Sequence, residues 1–273
     1  MPGDGEGLPA VLFVPDLLLS QQAGFYPRLC ERLAQKAFVL GIDAGSSGYL
    51  PTRPDPQDEG HLRERAAHYR LGSEIADLVR VVEALNEREL PQSQIWDGQR
   101  LCIVGHGKGA ALALHLGRRL LVQGMDFDGG LGLLCPPSSL LREGWPETGD
   151  ARITVPLDGG FCVKLAPGFL DDARALASMA ALPELVACSS WPLLFVAGEE
   201  DCVFSIAETE ELLAQAGTGK ARFCVIEKVG HAFSADETSR ASSPALEQVA
   251  VELERFVDSL GRPAIEDQGS AHT

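Results

Sequence analysis

The chain is short of positive charge. Across 273 residues, 23 lysines and arginines stand against 39 aspartates and glutamates, a formal net charge of −16. No basic stripe offsets the excess, so phosphate backbones and anionic membrane surfaces are repelled rather than bound, and the acidity serves solubility. Long apolar runs are also missing. None reaches the roughly 18 residues that a membrane-spanning helix needs. The first residues, MPGDGEGLPA, lack the basic segment and apolar core of a signal peptide, and they are too acidic for an import peptide. Seven cysteines are present without a single CxxC pair. An odd number scattered through apolar runs reads as reduced thiols, and so as a cytoplasmic protein. The six histidines show no HxxH or HExxH spacing, which predicts no metal site. A P-loop and a G-x-G-x-x-G after a strand are both absent, so no cofactor is expected.

What is present is a chain 45% hydrophobic with strand-like and helix-like segments in alternation. Apolar-rich segments at 10–14, 38–42, 99–104, 129–135, 192–197 and 221–226 read as strands, those at 10–14 and 38–42 as buried on both faces. Helices are expected at about 24–36, 61–86, up to 122 after the third strand, 168–181, from 206 to about 216, and from 244 to the end of the domain. Ser205 with Glu208 reads as a capping box, and Ser243 as an N-cap followed by Pro244 in the first turn. The alternation implies an α/β fold: a mostly parallel six-stranded sheet with helices on both faces. The region at about 138–190 breaks the pattern with a hairpin around Asp158-Gly159-Gly160 and reads as a small cap inserted into one domain spanning 1–262. Residues 263–273 read as a flexible tail.

In parallel sheets the ligand crevice lies beyond the carboxyl ends of the strands. After the third strand comes Gly105-His106-Gly107-Lys108-Gly109, leading at once into a small-residue helix. After the fifth comes Gly198-Glu199-Glu200-Asp201, and after the sixth Gly230-His231-Ala232-Phe233. The first segment resembles the G-x-S-x-G nucleophile elbow of α/β-hydrolases, and the other two resemble that family's acid turn and histidine loop, in its order of nucleophile, acid, histidine. The resemblance covers roughly residues 10–260. It implies an α/β-hydrolase fold with a cap, Asp201 and His231 as catalytic acid and base, and oxyanion donors at the backbone N–H groups of Leu17 and Lys108.

The chain departs from the family at two places. The nucleophile position is Gly107, which has no Oγ with which to form an acyl-enzyme. The loop after the first strand reads Pro15-Asp16-Leu17, which puts a carboxylate near the place where an oxyanion would develop. Two lesions at separate sites favour natural divergence. The expected function is therefore an α/β-hydrolase-fold protein lacking standard serine-hydrolase activity and binding a small, apolar ligand. The alternatives are an ester or thioester hydrolase or cofactor-free lyase that uses the His231–Asp201 dyad, and a serine esterase carried as a nucleophile mutant. His106 and Lys108 flank the turn and are expected to point away from its centre. Cys135 and Cys202 read as structural, buried thiols.

Overall fold

A computed structural model describes residues 7–43, 64, 66–145, 153–156, 162–165, 167–233 and 243–261. The six apolar runs become the strands β1 (Leu8–Val14), β2 (Phe38–Gly41), β3 (Trp96–His106), β4 (Asp128–Leu134), β7 (Leu193–Gly198) and β8 (Ala221–Ile226). All five pairings are parallel, in the order β2-β1-β3-β4-β7-β8. Residues Ala10–Val14 and Leu101–His106 are buried without alternation, as strands covered on both faces must be. Helices α1 (Tyr26–Leu33) and α7 (Pro244–Ser259) pack against each other. A second set comprises α2 (Leu71–Asn86), α3 (Lys108–Val122), α4 (Pro167–Met179), α5 (Leu182–Ala187) and α6 (Ile206–Leu213), linked through their own contacts.

The chain runs outward from β1 to β2 and returns to β3 on the other side of β1. The carboxyl ends of β1 and β3 therefore flank the point where strand order reverses, the usual ligand position in such sheets. Between β4 and β7 lies an antiparallel hairpin of β5 (Ile153–Pro156) and β6 (Cys162–Leu165), followed by α4 and α5. Leu165, Phe169 and Ala173 bury into the main core. The Asp172 carboxylate accepts from the Gly72 N–H at 3.0 Å, tying α4 to the start of α2.

Several boundaries differ from the sequence reading. The expected helix at 61–86 is interrupted at Tyr69 and Arg70, where Arg70 is extended (φ −135°, ψ 121°), and α2 starts afresh at Leu71. Short α5 was not expected; Glu184 accepts from the Ala181 N–H at its start. Ser205 does stand at the N-cap of α6, but no capping box forms. Glu208 turns away to accept from the Ser138 N–H at 3.1 Å and to pair with Arg142 at 2.9 Å. Ser243 caps α7 as expected, its hydroxyl accepting from the Leu246 N–H. The hairpin turn at 158–160 and the tail at 263–273 lie outside the described residues.

Candidate active site

The turn after β3 is built by its glycines. A Cβ on Gly105 would stand 2.2 Å from the Gly109 carbonyl oxygen, and one on Gly109 would stand 2.3 Å from that of Val14. Only hydrogen fits at either position. Gly107 adopts φ +54°, ψ −123°, a conformation costly for any residue with a side chain. The tip of the turn thus holds a strained, positive-φ conformation and presents no side chain.

The carboxylate of Asp16 fills the place of that side chain. A Cβ built on Gly107 would fall 2.4 Å from Asp16 Cγ. The Lys108 N–H donates to Asp16 Oδ1 at 2.7 Å, and His231 Nε2 lies 3.1 Å from Oδ2. On its other side, His231 Nδ1 is 2.8 Å from Asp201 Oδ2. Asp201 Oδ1 accepts from the N–H groups of Val203 and Phe204 at 2.8 and 3.0 Å. The centre is nearly sealed: the side chains of Asp16, His231 and Asp201 are 16%, 8% and 0% exposed.

Electrostatics fixes the protons. Burial alone would drive His231 neutral, but hydrogen bonds to Asp16 and Asp201 hold its pKa well above the ordinary value. Burial alone would raise both carboxyls. The hydrogen bond from His231 and its charge reverse this, leaving Asp16 and Asp201 below the usual carboxylate range. The Leu17 N–H adds to the lowering at Asp16. Both backbone donors read from the sequence as oxyanion donors thus act on Asp16. The result is an imidazolium between two carboxylates, with the N-terminus of α3 supporting the outer one.

His106 departs from its sequence reading. Its ring stacks on His231 at 4.3 Å between centroids. The Asp16 N–H donates to the Tyr26 hydroxyl at 3.0 Å, which lies 2.8 Å from His106 Nδ1; His106 Nε2 lies 3.0 Å from the His231 carbonyl. Burial, then the charge of His231, lowers the pKa of His106 to about 3. The neutral ring that donates from Nε2 and accepts at Nδ1 satisfies the whole chain, which braces the backbones of Asp16 and His231 together. No sequence motif signals this relay.

Lys108 is buried as well. Its Nζ lies 2.8 Å from Glu74 Oε2 and also bonds the Tyr69 hydroxyl, which donates to the same carboxylate. The Tyr69 ring packs on Phe169 of α4 at 5.8 Å. The residue whose N–H holds Asp16 is thus anchored through its side chain to α2. Replacing Glu74 by Leu strands a buried ammonium and is expected to cost about 3–5 kcal/mol, whereas the Glu74→Leu/Lys108→Met double variant recovers most of that loss. Denaturant midpoints check this; a Glu74→Leu cost below about 1 kcal/mol would refute the pairing.

Potential metal ligands do gather here: one ligand atom each from His106, Cys135 and His231 lies within 4.8 Å of the others. All four imidazole nitrogens are already engaged in hydrogen bonds. Cys135 is buried, as expected, at φ +45°, and burial raises its pKa. Cys202, in contrast, is exposed, not buried as its neighbour Asp201 suggested.

No family model and no curated protein matches the chain. Solved structures do. A putative hydrolase from Agrobacterium vitis S4 superposes with a TM-score of 0.66 at 12% identity, covering 92% of this chain and 88% of that one. Est1E from Butyrivibrio proteoclasticus, solved with ferulic acid, gives 0.64 at 15% identity, covering 94% and 91%. A monoacylglycerol lipase from Paleococcus ferrophilus gives 0.62 at 13%, covering 93% and 96%. The fold is that of the α/β-hydrolases. At these identities the likeness speaks for architecture alone. Within that α/β-hydrolase architecture, Asp16, Gly107, Asp201 and His231 stand at the carboxyl ends of β1, β3, β7 and β8, the strand ends where the sequence reading located the site.

Proposed function

We propose that this α/β-hydrolase-fold protein does not form an acyl-enzyme, and that any ligand it takes is held without covalent chemistry. One observation carries the reading. The Asp16 carboxylate engages both the Lys108 N–H and His231 Nε2, the two groups that a serine mechanism needs free. Gly107 supplies no nucleophile, and His231, already protonated at neutral pH, is a poor base. In the same reading, the segment at about 138–190 acts as a cap over a small, apolar ligand, and the six unpaired thiols among the described residues fit a cytoplasmic protein. A fluorophosphonate probe is expected to leave the protein unlabelled, and short p-nitrophenyl esters are expected to remain uncleaved. Robust ester turnover that disappears in His231→Ala would overturn this reading.

A second reading draws support from the structural neighbours, whose names include an esterase domain, a lipase and a thioesterase domain. In it, the protein is an ester or thioester hydrolase, or a cofactor-free lyase, working through His231 and Asp201. The imidazolium would then serve as a general acid, with activity falling as pH rises through its elevated pKa. Activity indifferent to both His231→Ala and Asp201→Asn would dismiss it.

A further inference from the structure

The side chain of Asp16 is chemically acetate attached to the backbone, and it is bound as a free carboxylate would be. Its two oxygens each meet a different donor, Lys108 N–H at 2.7 Å and His231 Nε2 at 3.1 Å. One donor opens the 15-residue helix α3, and the other carries a proton secured from behind by Asp201. That two-point arrangement matches a planar carboxylate and does not match a spherical halide. The space is limited, because the Asp16 carboxyl carbon lies only 2.4 Å from where a Cβ on residue 107 would sit.

We infer that the elbow is a carboxylate-binding cradle, self-ligated by Asp16, which takes a small free monocarboxylate in the same place once that side chain is removed. The inference rests on the reading that this centre forms no acyl-enzyme. It also sets the class of native competitor. A ligand that reaches into the elbow itself would do so with a carboxylate on an otherwise apolar body, displacing a tethered one that has no association entropy to lose.

Size-matched rescue tests it. Asp16→Ala deletes the atoms of formate, and Asp16→Gly deletes those of acetate. Each variant is titrated with sodium formate, acetate, butyrate or chloride at constant ionic strength while thermal unfolding is followed. Formate is expected to stabilise Asp16→Ala best and acetate Asp16→Gly best, saturably, by about 2–3 °C at ten times the dissociation constant. Wild type should not respond. Should either variant fail to fold, refolding yield in its matched acid against chloride takes the place of the melting curve. No advantage over chloride, an equal rise in wild type, or a preference for butyrate overturns the inference. Fluorophosphonate labelling of wild type, run alongside, keeps the two claims apart. Labelling would sink the proposed function, whereas absent rescue with unlabelled wild type sinks only the cradle.

Discussion

Gly107→Ser alone is expected to give a destabilised protein that a fluorophosphonate does not label. A serine Cβ would stand 2.4 Å from Asp16 Cγ and 2.5 and 2.6 Å from its oxygens. Something must move, and the backbone at φ +54° is strained for serine even with room to spare. Overpacking costs about 1–3 kcal/mol and backbone strain a similar amount, which together take a large share of a domain's stability. Any serine that did fit would face a histidine already protonated between carboxylates. Asp16→Ala addresses each obstacle: it frees the Lys108 N–H, opens the space and leaves His231 one carboxylate. The Gly107→Ser/Asp16→Ala double variant is therefore expected to be more stable than the serine variant alone, with a coupling energy of about 1–3 kcal/mol, and to be the labelled member of the cycle. Full stability and strong labelling in Gly107→Ser alone would show that Asp16 does not obstruct the elbow.

Stability should peak near pH 6.5 and fall on both sides. His106 and His115 are buried with pKa values lowered to about 3 and 4, in both cases chiefly by burial. Unfolding returns them to about 6.5, so between pH 4 and 6.5 the unfolded chain binds about two more protons than the folded one. Stability then drops by roughly 2–3 kcal/mol for each unit of acidification. Below pH 4 the depressed carboxyls of Asp16 and Asp201 deepen the loss, since they protonate only on unfolding. Above pH 6.5 the sign reverses. Folded His231 keeps a proton that the unfolded chain releases, and stability declines by up to about 1.4 kcal/mol per unit until its own raised pKa is passed. Half-buried Cys30 and buried Cys102, raised to about 12, extend the decline above pH 9. Denaturant unfolding from pH 4.5 to 9 checks the profile. His115→Gln should halve the acid slope and His231→Gln flatten the alkaline one; parallel curves would show that these groups do not set it.

The sheet was legible because each strand is rich in apolar residues and sits between helical segments; the burial expected of β2 was not, since at the sheet edge Val39, Leu40 and Gly41 are only partly buried. Asp201 and His231 were legible because they follow strands in a fixed order, and Gly107 because its flanking glycines mark the turn. The loop after β1 was half legible. Asp16 stood out as a carboxylate near the centre, but its position inside the elbow depends on packing between β1 and β3. The Tyr26–His106 relay joins residues 80 and 125 positions apart and leaves no periodicity to read. The Glu74–Lys108 pair failed for another reason. Charged residues on amphipathic helices are ordinarily solvated, so only tertiary contact tells that these two are buried. Glu208 illustrates competition: the capping-box spacing was correct, but Arg142 and the Ser138 N–H bound the carboxylate instead.

The Asp16–His231 contact spans 215 residues, from the end of the first strand to the loop after the last. Contacts of such separation have the largest loops to close and come late in assembly. The three charged side chains are therefore expected to work as a clasp that closes late in folding. Weakening it leaves the rate of folding nearly untouched and shortens the lifetime of the folded state. A centre of three buried, paired charges can in this way help determine how long the chain stays folded.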